Sequence, residues 1–320
     1  VTVAADGAQA RGRLRTEELL LLAALFLVAL NLRAAIAAVP PLLDTIQRDT
    51  GLGGAGAGLL TALSIACMGL FAPLGHTASE RFGREHTVAA ALGFLAVGCL
   101  LRLDGSNLVA LYASSLVAGA GVAVIGAVLP GIVKERFADR AGAATAVYST
   151  ALTMSATVAA GVSVPLFHLL GSWQRSLTAW TVPALLALVV WTPLTARYRR
   201  DVERVRGAKH PIPWRSGRAW LLTAYFTCNA FGFYSLLTWL APRYVDEFGW
   251  SAATAGALLA VFNGAQIVSA ATVPPLTGRA RDPTGVLLLT VAATIVGLTM
   301  LLATPHAAPW LWAAVAGYGS

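Results

Sequence analysis

The stretch ALNLRAAIAAVPP, residues 29–41, puts Arg33 inside an apolar run that begins at Leu19. A guanidinium at the centre of a membrane helix costs about 2.5–3.5 kcal/mol on insertion scales, so one found there marks a functional position. Arg33 stands ~21 Å beyond Leu19 on a helix, close to the middle of a bilayer. No Asp or Glu occurs in the interior of any apolar run. Three roles are then open: contact with a solute anion or chloride in a watery cavity, capping of carbonyl groups, or a structural pair with a carboxylate on a helix beyond this sequence. Asn263 and Gln266 are three apart and share a helix face. They either line the same path or hydrogen-bond between helices. Tyr148 and Tyr234 are further polar candidates.

Other patterns of the kind that carry chemistry fail on context. GLGGAG, residues 51–56, fits G-x-G-x-x-G, but it follows a long apolar run instead of a strand and reads as a flexible helix start. Gly-Lys never occurs, which removes a P-loop. The five histidines are scattered, and neither H-E-x-x-H nor G-x-S-x-G is present. Cys67, Cys99 and Cys228 fall singly in apolar segments and read as reduced packing residues. The sequence therefore predicts no enzyme, no cofactor and no metal.

The elements that must position Arg33 follow from composition. Of 320 residues 57% are hydrophobic and 12% charged, about half the charge of a soluble domain. Runs long enough to cross a bilayer lie near 19–43, 55–78, 87–103, 107–133, 141–170, 175–195, 218–242, 252–277, 285–303 and 308–320, the last still running at Ser320. With the N-terminus in the cytoplasm, most of the 23 Lys and Arg fall in cytoplasmic segments, and external loops hold only Arg48, Arg102, Arg175 and Arg243. The basic balance thus needs no nucleic acid; the partners expected are the bilayer and a small solute. The sequence divides into a cytoplasmic tail (1–18), a six-helix half (19–195), a basic cytoplasmic linker (196–217) and a second half (218–320) that is cut off in helix 10.

At an offset of 198 residues the halves resemble each other. Asn31 matches Asn229, Gly51 matches Gly249, Gly58 matches Gly256, and Asp49 meets Glu247. Parallel repeats of this kind are one architecture of secondary transporters, with the solute site between the halves. Arg33 corresponds to Phe231, so the repeat does not itself require an Arg there. Phe231 is expected to face Arg33 across the cavity, as a cation and an aromatic that suit a small planar anion or a polar heteroaromatic.

Between the second and third runs lies GHTASERFGRE. It resembles the helix 2–3 signature of the major facilitator superfamily, G-x-x-x-D-R-x-G-R-[KR]. Glu80, Arg81, Gly83 and Arg84 match its later positions, with Glu for Asp; Gly75 stands one residue early, and Glu85 replaces the usual base. GRARD after the eighth run is a weaker second copy. The stretches ALNLRAAIAAVPPLL, GLLTALSIACMGLFAPLG, GAGVAVIGAVLPGIVKERFADRAG and GVSVPLFHLLGSWQRSLTAWTVPALLALVVW resemble the cyanate and nitroimidazole transporter branch of that superfamily. The resemblance implies a twelve-helix bundle of which helices 11 and 12 lie beyond this sequence. It also implies alternating access and a gating latch at Glu80, Arg81, Gly83 and Arg84. The expected substrate contacts are Arg33, Phe231, Asn229, Asn263 and Gln266. The expected activity is transport of a cyanate-like anion or nitroimidazole-like solute by a monomer, with efflux of drugs or metabolites as the alternative. Without a carboxylate in the membrane interior, facilitated diffusion, anion exchange or proton movement carried by the solute fits better than a buried proton-binding acid.

Overall fold

The computed structural model describes residues 2–137, 140–197, 216–279 and 284–320. Its helices are α1 (Thr2–Ala37), α2 (Leu43–Thr50), α3 (Gly54–Phe82), α4 (Arg84–Leu100), α5 (Leu108–Arg136), α6 (Ala141–Leu170), α7 (Trp173–Thr178), α8 (Thr181–Arg197), α9 (Gly217–Asp246), α10 (Ala252–Arg279), α11 (Thr284–Ala303) and α12 (Pro309–Gly319). Among the described residues eight helical segments are long and apolar enough to cross a membrane; α9 and α12 are helical where spans were expected but fall short of that measure. The polar tail runs into α1 without a break. Most of the predicted linker, residues 198–215, lies outside the described residues.

The repeat is visible in backbone geometry. Gly51 caps α2 with φ 71° and its N–H bonds the Gln47 carbonyl; Gly249 has φ 67° and bonds the Val245 carbonyl. Both bonds sit at the offset of 198. Helix crossings repeat as well. A Cβ on Gly119 would run into Ser64 and Cys67 of α3, and a Cβ on Gly317 would run into Phe262 and Ala265 of α10. Gly121 lies against Ala91 and Leu95, and Gly319 against Thr290 and Thr294. Small residues let membrane helices approach this closely, because lipid supplies no hydrophobic drive between them.

Two apolar cores result. The buried members of one come from α1, α4, α5, α6 and α8 of the first half, with Trp191 at its base, and Tyr234 of the second half packs against it. The other joins the halves at the end that carries Gly51 and Gly249, where Ala34, Ala37, Ala38 and Val39 pack with Phe233, Leu237 and Leu240. At the opposite end α9 is uncovered: Trp220, Leu221 and Phe226 are exposed. On the closed side, the Asp49 carboxylate accepts the Trp173 indole N–H (2.8 Å) and the Gln174 amide (3.3 Å), which also donates to Ser106 (3.2 Å).

Two expectations change here. Arg102, assigned to an external loop, is 1% exposed in the 3₁₀ turn that closes α4. Its side chain folds back among the helices, so the protein buries it as well as Arg33. Cys67 and Cys99 are buried, but Cys228 is exposed on the uncovered part of α9.

Candidate functional site

Arg33 is half-buried, beside the apolar seal between the halves. Its guanidinium lies over the Phe233 ring, 4.4 Å from the centroid. Such a contact contributes about 0.5–2 kcal/mol, more when desolvated. One terminal nitrogen, Nη1, is buried with no hydrogen-bond acceptor. On the residue after Phe233 in α9, the Tyr234 hydroxyl donates to the Met68 sulfur at 3.4 Å. Tyr234 and Met68 in turn line a groove of about 900 Å³ between α3 and α9, with Thr61, Thr223, Phe231 and Trp239 among its walls.

The aromatic partner is thus Phe233 and not its neighbour Phe231. Phe231 is 74% exposed and Phe233 5%. Residues two apart on a helix do not share a face, so only one of them can turn toward Arg33. Phe231 lies on the groove wall instead. Asn229 and Gln266 both donate to Ser320 at the end of α12, at 3.3 and 3.1 Å. Asn263 is fully buried and donates to the Leu259 carbonyl one turn back (3.0 Å), leaving its own oxygen unpartnered. These three amides therefore bond within the second half. Asn31 donates to the Leu27 carbonyl one turn back on α1 and to the Pro183 carbonyl of α8.

The expected latch divides. Gly83 has φ 87°, a backbone that glycine alone adopts freely, and lets α3 pass straight into α4. Arg84 pairs with Glu135 and donates to the Gly131 carbonyl (3.0 Å) on α5. Glu85 pairs with Arg136 at 2.9 Å, and the Trp191 indole donates to the Glu85 backbone carbonyl at 2.9 Å. Arg84-Glu85 on one helix therefore meets Glu135-Arg136 on the next with charges reversed. Glu85, the departure from the signature, has its matching charge here. Glu80 instead pairs with His76 (3.3 Å), and Arg81 lies over Phe82. Every member of the clamp belongs to the first half. Among the described residues no group of His, Cys, Asp and Glu could hold a metal.

The arrangement is two helical halves sealed at one end, with a half-buried cation and a hydroxyl- and aromatic-lined groove at their junction. That is the build of a membrane carrier. The family profile of the Major Facilitator Superfamily matches residues 21–320, and the chain belongs to that family. It is 32% identical over 299 residues to the "Cyanate transport protein CynX" of Escherichia coli (strain K12), spanning 93% of this chain and 77% of that one. It is 30% identical to the "Uncharacterized transporter YycB" of Bacillus subtilis (strain 168), spanning 93% and 74%. To the 2-nitroimidazole transporter of Escherichia coli (strain K12) it is 29% identical, spanning 94% and 76%. Among solved structures, the proton:xylose symporter XylE bound to 6-bromo-6-deoxy-D-glucose superposes with a TM-score of 0.71 at 13% identity, covering 94% of this chain and 79% of that one. The chain is a multi-pass membrane transporter of major facilitator fold.

Proposed function

We propose that this transporter carries a small anionic or polar solute, of the cyanate or nitroimidazole kind, by alternating access at Arg33. The observation that carries the reading is the guanidinium itself. It is half-buried between the halves, has an aromatic ring on one face and an unpartnered nitrogen, and has no carboxylate paired with it among the described residues. An anion or an electron-rich ring supplies what the protein leaves out. The names of two relatives, a cyanate and a 2-nitroimidazole transporter, point the same way. Phe231 on the groove wall, Asn229 on the same helix and Gln266 on α10 complete the proposed solute path; Asn263, fully buried, joins it only when the halves move.

The charge asymmetry of the loops supports a cytoplasmic N-terminus, in the proposed setting of a plasma membrane. In that orientation the sealed end faces outward and the groove opens inward, and the Arg84–Glu135 and Glu85–Arg136 pairs brace the cytoplasmic end of a monomer. Export of a bulkier metabolite is the second reading. The groove volume favours it, since about 900 Å³ far exceeds a triatomic anion.

The test is uptake of labelled cyanate, nitrate, 2-nitroimidazole and small carboxylates into proteoliposomes at several pH values. Wild type should carry at least one of them and Arg33→Ala should not. The reading fails if Arg33→Ala carries every solute as wild type does.

A further inference from the structure

The outer end of α1 is broken by Pro40 and Pro41, which have no N–H to give the preceding turn. The backbone adjusts around them. Ala38 N–H bonds the Ala34 carbonyl at 3.0 Å, but Val39 N–H shifts to the Ile36 carbonyl at 3.3 Å. The shift takes from Ala35 the donor that a continuing helix would supply, and its carbonyl becomes one of the orphans of a helix end. Arg102 meets it: Nη2 donates to the Ala35 oxygen at 2.8 Å, in a buried bond.

Arg102 comes from the 3₁₀ turn Leu101–Asp104 and is almost wholly buried. Among the described residues no carboxylate pairs with it, and its Nη1 has no partner. What holds a cation there is the negative end of the α1 dipole and the charge-assisted bond to the freed carbonyl. Ala35 stands two residues past Arg33. The segment from Ala34 to Val39 is also this half's share of the seal against Phe233, Leu237 and Leu240.

We infer that Arg102 is a positioning residue for the solute site: by capping Ala35 it fixes the broken end of α1, and with it the Arg33 guanidinium over Phe233. The inference rests on the reading of Arg33 as the recognition residue. Its structural half, the hold on residues 34–39, is measurable without any solute.

Three variants test it. Arg102→Met removes donor and charge, Arg102→Lys keeps both, and Arg102→Gln keeps a donor alone and takes the place of Met if that variant does not accumulate. In nanodisc-reconstituted protein, hydrogen exchange at the amides of residues 37–39 should quicken by about tenfold or more in Arg102→Met, the scale of one lost charged hydrogen bond. Arg102→Lys should stay near wild type, with Arg102→Gln between. With labelled cyanate and 2-nitroimidazole as probes, KM should rise by about 3–10-fold in Arg102→Met while kcat changes little, as for a displaced binding group. Unchanged exchange in Arg102→Met, or in Arg102→Gln where Met is lost, overturns the inference, as does a Lys variant no better than Met. If KM moves without exchange, the positioning role falls and the solute reading stands. Loosened amides in a protein that carries neither probe leave the hold on α1 standing and count against the solute reading.

Discussion

At Arg33 two properties of the side chain are used together, its charge and its flat face over Phe233. Lysine keeps the first and loses the second, so Arg33→Lys should retain transport with affinity weakened by about 3–30-fold, the range of a partly desolvated cation–π contact. Half-saturation of uptake for the carried probe reads this directly. Phe233→Leu should weaken affinity by a similar factor, whereas Phe231→Leu, on the groove wall, should change it by less than Phe233→Leu does. Equal effects would mean that the ring over the guanidinium contributes nothing of its own. The sequence disclosed Arg33 because a charge stands out against an apolar run. It could not disclose Phe233, because the repeat fixes a position along α9 and not which side of the helix turns toward α1. Arg102 was hidden for a different reason: it lies at the edge of a span, and only the path of α1 through space makes that edge an interior.

The junction between α3 and α4 has no slack. Gly83 holds φ 87° and ψ 153°, a region essentially reserved for glycine, and any L side chain there costs about 1–3 kcal/mol. Gly83→Val should therefore lower the melting temperature of purified protein, with no change in KM for the fraction that folds. The crossed pairs that follow can be tested by charge exchange. Glu85→Arg alone sets like charges together at the buried position facing Arg136, and adding Arg136→Glu should recover about 1–3 kcal/mol of the loss, read as thermal stability in a double-mutant cycle. No recovery would show that Glu85 and Arg136 are not coupled. The turn and its basic residues were legible because the superfamily signature is short and local. Glu85 read only as a departure from it, since its partner is a distant residue on the next long helix.

Across the whole molecule the offset of 198 residues describes crossings as well as sequence. Gly121 and Gly319 occupy equivalent contacts in the two halves. Leucine at either should cost about 1–3 kcal/mol by overpacking, and the two losses, far apart, should add in a chemical or thermal denaturation series. A large loss from one and none from the other would break the equivalence. Few identities marked this repeat, because apolar composition makes chance matches common. The glycines were the informative part, since left-handed caps and close crossings admit few other residues.

The bonds around Asp49 bear on how such a carrier opens. Asp49, Trp173, Gln174 and Ser106 tie together three connections on the sealed side, and all three belong to the first half. None of these bonds crosses to the second half, so none need break when the halves part there. The connections that look most like independent flaps are pinned to one another. On the proposal of alternating access, opening at that face would tilt one stiff body away from another against the apolar seal, and its rate should respond to residues such as Ala38 and Leu237 far more than to the loops above them.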